Sequence, residues 1–421
     1  MRLAIFGAVT AAIVVVPARS ADLLEVYREA RANDAVFTAA QATLTAGRER
    51  LPQGKALILP TINLTGNSTY TDASVRSLIP NAPIVPRIFH GNVWTVTLNQ
   101  PLYRPANWVQ YEQAEFQVAQ AEATFGQASQ DLIIRLAQAY FDILASQDSL
   151  AVIQAQKAAI TEQLEQARRN FEVGTATVVD THEAQARFDL STSQEIAARN
   201  DLEIRQRVLQ QLIGRFPEKL TPLKPQLQLT PPEPNRMDAW VDAAQSQNYT
   251  VRVQEAALEI ARRDVERNRA GHLPTVDLVS TYGNNYVTGA TGTSPLGSEI
   301  RSGTLGLQLS FPIFAGGSTS SRIRESLAQQ DKVTSDLENS RRQAALSARQ
   351  SFIGVTNGMA QVRALEQAVL SSETALASNR LGYEVGVRIN IDVLNSQQQV
   401  FSTRRDMSRA RYDTIMNGLR L

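Results

Sequence analysis

The chain has 421 residues, with 42 basic and 41 acidic side chains, a formal net charge of +1 and no cysteine. The balanced charge gives no indication of a nucleic-acid partner, and the missing cysteine excludes disulfides, thiolate metal sites and a cysteine nucleophile. A hydrophobic content of 43% is enough for a sizeable core.

The first twenty residues form a separate unit of sequence. Arg2 precedes an apolar run from Leu3 to Val16, and small residues follow before Ala21. This order is typical of a secretory signal peptide at 1–20, and the alternative is a buried N-terminal helix. No later stretch approaches 18 consecutive apolar residues, so we expect an exported chain that can enter a membrane only through strands.

Residues 21–214 form a first structural repeat. After helical patterns with a break near Asn33-Asp34, apolar and polar residues alternate, which predicts a strand pair at about 61–72 and 92–101. A proline-free stretch then predicts a long helix over 106–172 and a second helix over 176–213.

The second half of the sequence repeats the first after a linker. Residues 215–236 carry six prolines, and this composition predicts a proline-rich linker. Residues 237–421 form the second repeat, with 237–270 predicted to be helical. The further elements predicted in it are a strand pair at about 275–287 and 303–312, a long helix at 318–383 and a helix at 389–421.

A seven-residue spacing of apolar side chains runs along both long helices and predicts packing in the manner of coiled coils. At about 1.5 Å per residue, the first of these helices would extend for about 100 Å. Gly174 and Gly386 interrupt the helical pattern at equivalent places, as reversals between antiparallel helices would. The residues on the seven-residue grid are Ile143, Leu150, Leu164, Phe171, Val355, Val362, Val369, Leu376 and Tyr383.

The four predicted strands each have one apolar and one polar face. In lipid they would leave unpaired edges, which a closed barrel built from several chains would remove. A soluble antiparallel sheet explains the alternation equally well. Aromatic side chains near the strands would suit the girdle of a membrane barrel, namely Tyr70, Trp94, Tyr282 and Tyr286.

Several motifs carry a likeness to a known family. They are Leu23–Tyr27, Gly271–Thr275, Phe311–Gly317 and the two similar sequences Phe171–Asp180 and Tyr383–Asp392. With them the chain resembles the TolC family of outer-membrane channel-tunnels over nearly all of 22–421. The resemblance implies a mainly α fold with membrane β structure. It further implies a homotrimer, with a 12-stranded β-barrel on a 12-helix α-barrel.

The resemblance also implies a function, a location and partners. The chain would be the passive exit duct of a tripartite efflux pump or a type I secretion system. It would lie in the outer membrane of a Gram-negative cell and extend into the periplasm. Its partners would be a periplasmic adaptor, an inner-membrane ABC or proton-driven pump and outer-membrane lipid. No cofactor and no catalytic residue are implied.

The same resemblance assigns a gate and a constriction. It implies that Tyr383 and Arg388 bond Asp180 or its neighbourhood and hold the periplasmic entrance shut. Asp392 matches the first acid of the family's constriction ring, whereas Asn395 stands where the family has a second acid. The resemblance therefore does not imply strong binding of divalent cations. Without the resemblance, helix capping would explain Asp180 and Asp392 equally well.

The helix reversals are the predicted contact with the adaptor, although simple turns would also explain them. The residues that match the family's adaptor-contacting tips are Val173, Gly174, Thr175, Val385, Gly386 and Val387.

Two other functional classes compete with the channel. An enzyme would need a reactive constellation, but the histidines are scattered, and Asp180, His182 and Glu183 are too few for a convincing metal site. A periplasmic coiled-coil adaptor would carry one hairpin between compact β domains. Two complete repeats, each with its own strand pair, argue against it.

Overall fold

The computed structural model describes residues 21–76, 84–175, 177–224, 229–289 and 296–421. The predicted signal peptide lies outside the described residues. So do parts of the two segments that connect the strands of each predicted pair.

Helices dominate the fold, and two of them are very long. α4 has 68 residues and α8 has 67, and each is followed by an antiparallel helix of about half that length. None of the described helices is long and apolar enough to cross a lipid bilayer. The helices are α1 Leu23–Asn33, α2 Ala35–Arg48, α3 Arg50–Ala56, α4 Pro105–Glu172, α5 Val178–Ile213, α6 Met237–Gln247, α7 Tyr249–Ala270, α8 Ser318–Glu384 and α9 Asn390–Arg420.

Side chains that cap helices set two of the breaks. Asp34 accepts hydrogen bonds from the backbone N–H groups of Val36 and Phe37, so α2 begins where the sequence predicted a break. The predicted helical stretch 237–270 is helical except at Asn248, which divides it into two helices. Asn248 has extended backbone and accepts from the N–H of Thr250, which ends α6 and starts α7.

The four strands are longer than the alternating pattern suggested. They are β1 Thr61–Arg76, β2 Ile84–Tyr103, β3 Thr275–Thr288 and β4 Gly297–Ser310. Pro86 lies within β2 opposite Ser74, and Pro101 lies at a β-bulge, so neither proline ends the strand. A proline is tolerated at a bulge because the ladder is already interrupted there.

The strands form one antiparallel sheet in the order β1-β2-β3-β4. The register places Leu64, Val96 and Tyr282 side by side on an apolar face. Thr65, Thr95 and Thr281 lie on the opposite face. Among the described strands, β1 and β4 each have one neighbour, so the sheet has two open edges.

The chain divides into two compact units, each drawing on both predicted repeats. The first consists of the described residues of Met1–Ala39, Ala128–Trp240 and Ser347–Leu421. Its most deeply buried side chains come from α1, α4, α5 and α9. The larger of them are Val26, Leu132, Leu136, Ile143, Leu144, Ser191, Leu209, Asn390, Val393 and Gln397.

The second unit consists of the described residues of Ala40–Gln127 and Val241–Leu346 and contains the sheet. Its helical core joins α7 to α8 through Val251, Leu258 and Leu337. At the base of the sheet, the Arg104 guanidinium donates two hydrogen bonds of 2.7 and 2.6 Å to the buried Asp277 carboxylate. This bidentate pair fixes the chain where β2 passes into α4.

Candidate functional site

The two helix reversals have the same backbone geometry. Gly174 and Gly386 both have φ of +76°, which glycine adopts without the penalty that a side chain would impose. In the first, the Gly174 N–H bonds the Phe171 carbonyl and the Thr175 N–H bonds the Asn170 carbonyl. This pattern, repeated in the second, is the Schellman motif that commonly ends a helix at glycine.

Both reversals present apolar side chains to solvent. Val173 is 73% exposed, Val385 is 65% exposed and Val387 is 79% exposed. A β carbon added to Gly174 or Gly386 would meet nothing within 4 Å. Exposed valines on a turn can support an intermolecular contact, which is what the sequence predicted for these tips.

Asp180 takes part in the start of α5. Its carboxylate accepts from the Thr177 N–H at 3.0 Å and from the Thr177 hydroxyl at 2.8 Å, and its own N–H donates to that hydroxyl oxygen. The arrangement is a capping box, which satisfies backbone donors at a helix N-terminus. Within this chain Asp180 therefore caps a helix, which is the alternative that the sequence left open.

The first hairpin consists of α4 and α5, and the second consists of α8 and α9. Tyr383 of the second hairpin contacts the first at a residue that the sequence did not single out. The Asn170 side-chain amide donates to the Tyr383 hydroxyl at 3.5 Å. Asn170 belongs to the last turn of α4 and Tyr383 to the last turn of α8. This contact joins the two reversals within one chain.

Arg388 folds back along the end of α8. Its N–H donates to the Gly382 carbonyl, and a β carbon at Gly382 would lie only 2.7 Å from the Arg388 Cγ. Its guanidinium lies 3.7 Å from the Asp392 carboxylate, one helical turn away. The first repeat has Asn170 at the position equivalent to Gly382, and this difference could have revealed the site from sequence.

Asn395 bonds to a residue of the first hairpin. The Arg187 guanidinium of α5 donates to the Asn395 side-chain oxygen of α9 at 3.0 Å. Within the single chain, Asp180, Tyr383 and Arg388 therefore take separate partners, and Asn170 and Arg187 each bond a residue of the second hairpin.

Polar side chains are also buried deeper between the helices. Gln163 on α4 donates to Asn390 on α9, and Gln156 on α4 donates to Gln398 at 2.8 Å. Gln397 is 1% exposed, and its amide has no hydrogen-bond partner among the described residues. The α4–α9 contact is thus held by amides as well as apolar packing.

Farther from the reversals, Asp148 on α4 accepts hydrogen bonds from two residues of α9. Its Oδ2 atom lies 2.6 Å from the Ser408 hydroxyl and 2.8 Å from the Tyr412 hydroxyl. Burial and the neighbouring carboxylate raise the pKa of the Tyr412 phenol well above its ordinary value. Tyr412 is therefore a neutral donor at physiological pH.

The tips carry no cluster suited to a metal ion. No group of three or more histidine, cysteine or acidic side chains with that geometry occurs within the residues that the structure describes. The chemistry available at the tips is therefore hydrogen bonding, ion pairing and apolar contact.

Comparison with known proteins identifies relatives over most of the chain. The family model of outer membrane efflux proteins matches residues 26–215 and 240–421. The outer membrane protein TolC of Vibrio cholerae is 31% identical over 402 residues, covering 95% of this chain and 89% of that protein. The alkaline protease secretion protein AprF of Pseudomonas aeruginosa is 32% identical over 408 residues, covering 95% and 83%.

Solved structures share the fold. The outer membrane protein VceC of Vibrio cholerae aligns with a TM-score of 0.80 at 18% identity, covering 95% of this chain and 94% of that one. The outer membrane channel CmeC of Campylobacter jejuni gives a TM-score of 0.80 at 14% identity, covering 94% and 84%. The predicted combination of long helices with a four-stranded sheet is confirmed. The chain belongs to the outer membrane efflux protein family.

Proposed function

We propose that the chain is the exit duct of a tripartite efflux pump or type I secretion system in the outer membrane of a Gram-negative cell. Three copies would form one passive channel, gated at its periplasmic end. The observation that carries this proposal is the sheet. It has an exposed apolar face and two open edges within a family of outer membrane efflux proteins.

The apolar face of the sheet suits lipid. Leu64, Leu305 and Leu307 lie on the same face as other apolar side chains, and they are 71%, 73% and 70% exposed. Large exposed apolar surfaces mark contacts with membranes or proteins. Trp94 and Tyr282 pack edge to face on this surface, as amphipathic rings at a membrane interface could.

The open edges require further strands. In lipid, each unpaired backbone group would cost several kcal/mol, so β1 of one copy would pair with β4 of the next. Because the four strands alternate in direction, this pairing is antiparallel and can close a ring. Three copies would supply twelve strands, the number that the family resemblance implies.

The long helices would carry the duct away from the membrane. With 68 residues at about 1.5 Å each, α4 is about 100 Å long. The exposed valines of the two reversals would meet a periplasmic adaptor, and an inner-membrane pump would complete the assembly. The relatives TolC and AprF, named for an outer membrane protein and for protease secretion, favour this arrangement over a free adaptor without a pore.

The entrance would be held by contacts between reversals. Arg388 and Tyr383 of the second reversal would bond the first hairpin at Asp180 or its neighbourhood, within or between copies. Asp392 would contribute to the constriction. The Asn170–Tyr383 contact supports an entrance in which the hairpins hold one another.

Conductance in planar lipid bilayers tests the proposal. The purified protein should require detergent and should insert channels of low conductance. Arg388→Ser should raise the conductance because it removes a contact of the closed entrance, and Asp392→Ala should reduce cation selectivity. Arg342→Ser is a matched control, since Arg342 pairs with Glu338 on the same helix. Absence of any conductance from the wild-type protein would refute the channel.

A further inference from the structure

The hydrogen bond between Arg187 and Asn395 joins the two hairpins beside the proposed constriction. Arg187 lies two turns beyond Asp180 on α5, and Asn395 lies three residues beyond Asp392 on α9. The guanidinium donates to the amide oxygen at 3.0 Å. By contrast, the neighbouring arginine of the first hairpin, Arg168, donates to Glu165 and Gln185 within that hairpin.

The bond also brings a positive charge towards Asp392. Residues three apart on a helix share a face, so a guanidinium bound at Asn395 lies about one turn from the Asp392 carboxylate. The Arg388 guanidinium lies 3.7 Å from the same carboxylate. Glu183 lies one turn before Arg187 on α5. These four charged side chains sum to zero in each copy.

We propose that Arg187 is a specificity-determining residue of the entrance, with two effects. It holds the second hairpin through Asn395, which stands where the family has a second acid. Its positive charge also offsets the negative charge of Asp392. The inference rests on the proposed function of the chain as a channel. It predicts a constriction that binds divalent cations weakly and is only weakly selective for cations.

Two substitutions separate the mechanical effect from the electrostatic one. Arg187→Ala and Asn395→Asp each make the site one charge more negative. Arg187→Ala removes the bond between hairpins, whereas Asn395→Asp replaces it with an ion pair, which is stronger than a bond to a neutral amide. Both variants should become more cation-selective, but their effects on opening should have opposite signs.

Planar-bilayer recordings measure both effects. Arg187→Ala should raise the ratio of open to closed entrances about three- to tenfold, and Asn395→Asp should lower it. In both variants the Mg²⁺ concentration that halves the current should fall about fivefold, and in the double variant it should fall further. Arg168→Ala should change the opening ratio little, because its partners lie within one hairpin.

A covalent link tests the juxtaposition independently. The chain has no cysteine, so Arg187→Cys/Asn395→Cys introduces one defined pair. A short bismaleimide should join the two cysteines within one chain and abolish opening, and cysteine at either position alone should not. The inference would be overturned if the wild-type protein conducts and Arg187→Ala has the same opening ratio and the same block by Mg²⁺ as Arg168→Ala. A wild-type protein that never conducts would instead refute the proposed function.

Discussion

Gly382→Ala should open the entrance without destabilising the protein. The added β carbon would lie 2.7 Å from the Arg388 Cγ and 3.3 Å from its Cβ, so the arginine side chain must move by about 1 Å to regain ordinary contact. The Arg388–Asp392 pair, already at 3.7 Å, would then separate. The expected result is a higher conductance from a protein of unchanged or greater stability.

Gly382→Ala has two effects of opposite sign on the free energy of unfolding. Alanine in place of glycine within a helix stabilises by about 1 kcal/mol, whereas losing an exposed ion pair costs about 0.2–1 kcal/mol. The midpoint of thermal unfolding should therefore stay level or rise slightly. If the displaced arginine contributes about 1 kcal/mol to closure, the ratio of open to closed entrances should rise about fivefold.

Bilayer recordings and thermal unfolding in detergent provide the assay. Gly418→Ala is the control, since its β carbon would meet only the Val355 Cγ2 at 4.0 Å. The double variant Gly382→Ala/Arg388→Ala should conduct no more than Arg388→Ala alone, because both substitutions remove the same contact. If Arg388→Ala raises conductance and Gly382→Ala does not, Gly382 has no part in positioning the arginine.

Two further predictions concern buried polar contacts between α4 and α9. Asn390→Ala should lower the free energy of unfolding by about 1–3 kcal/mol because the buried Gln163 amide loses its acceptor. Stability should recover in the double variant Gln163→Leu/Asn390→Leu, which leaves no unpaired amide. An unchanged stability of Asn390→Ala would contradict this cause. Tyr412 has a raised pKa, so its contribution to stability is complete below about pH 10 and is lost as the pH rises further. Tyr412→Phe should therefore be about 1 kcal/mol less stable than the wild-type protein at neutral pH. Above pH 10 its stability should decline less than that of the wild-type protein. Equal declines would contradict this assignment.

The sequence predicted the helices well because their signals are local. A glycine at each reversal, a proline-free stretch and seven-residue spacing depend on neighbours within a few turns. The strand ends were harder to predict. The second strand was predicted at about 92–101, but pairing with β1 and β3 extends β2 through Pro86 and past Pro101. Cross-strand pairing is a long-range property and leaves little trace in one strand's sequence.

The site was only partly predictable for the same reason. The turn geometry at Gly174 and the cap at Asp180 follow from adjacent residues. The Arg187–Asn395 bond spans 208 positions and depends on how two hairpins pack, so spacing within either repeat could not reveal it. The sequence shows Gly382 where the first repeat has Asn170, but only the structure shows that the Arg388 side chain packs against this glycine.

The assembly state tests the central claim most directly. Native mass spectrometry of the detergent-solubilised protein, released from its micelle, measures the number of chains in the particle. A duct with a closed sheet predicts a particle of three times the chain mass that aggregates when detergent is withdrawn. A monodisperse monomer in detergent-free buffer would contradict the account, because its exposed apolar sheet and open edges would then need no partner.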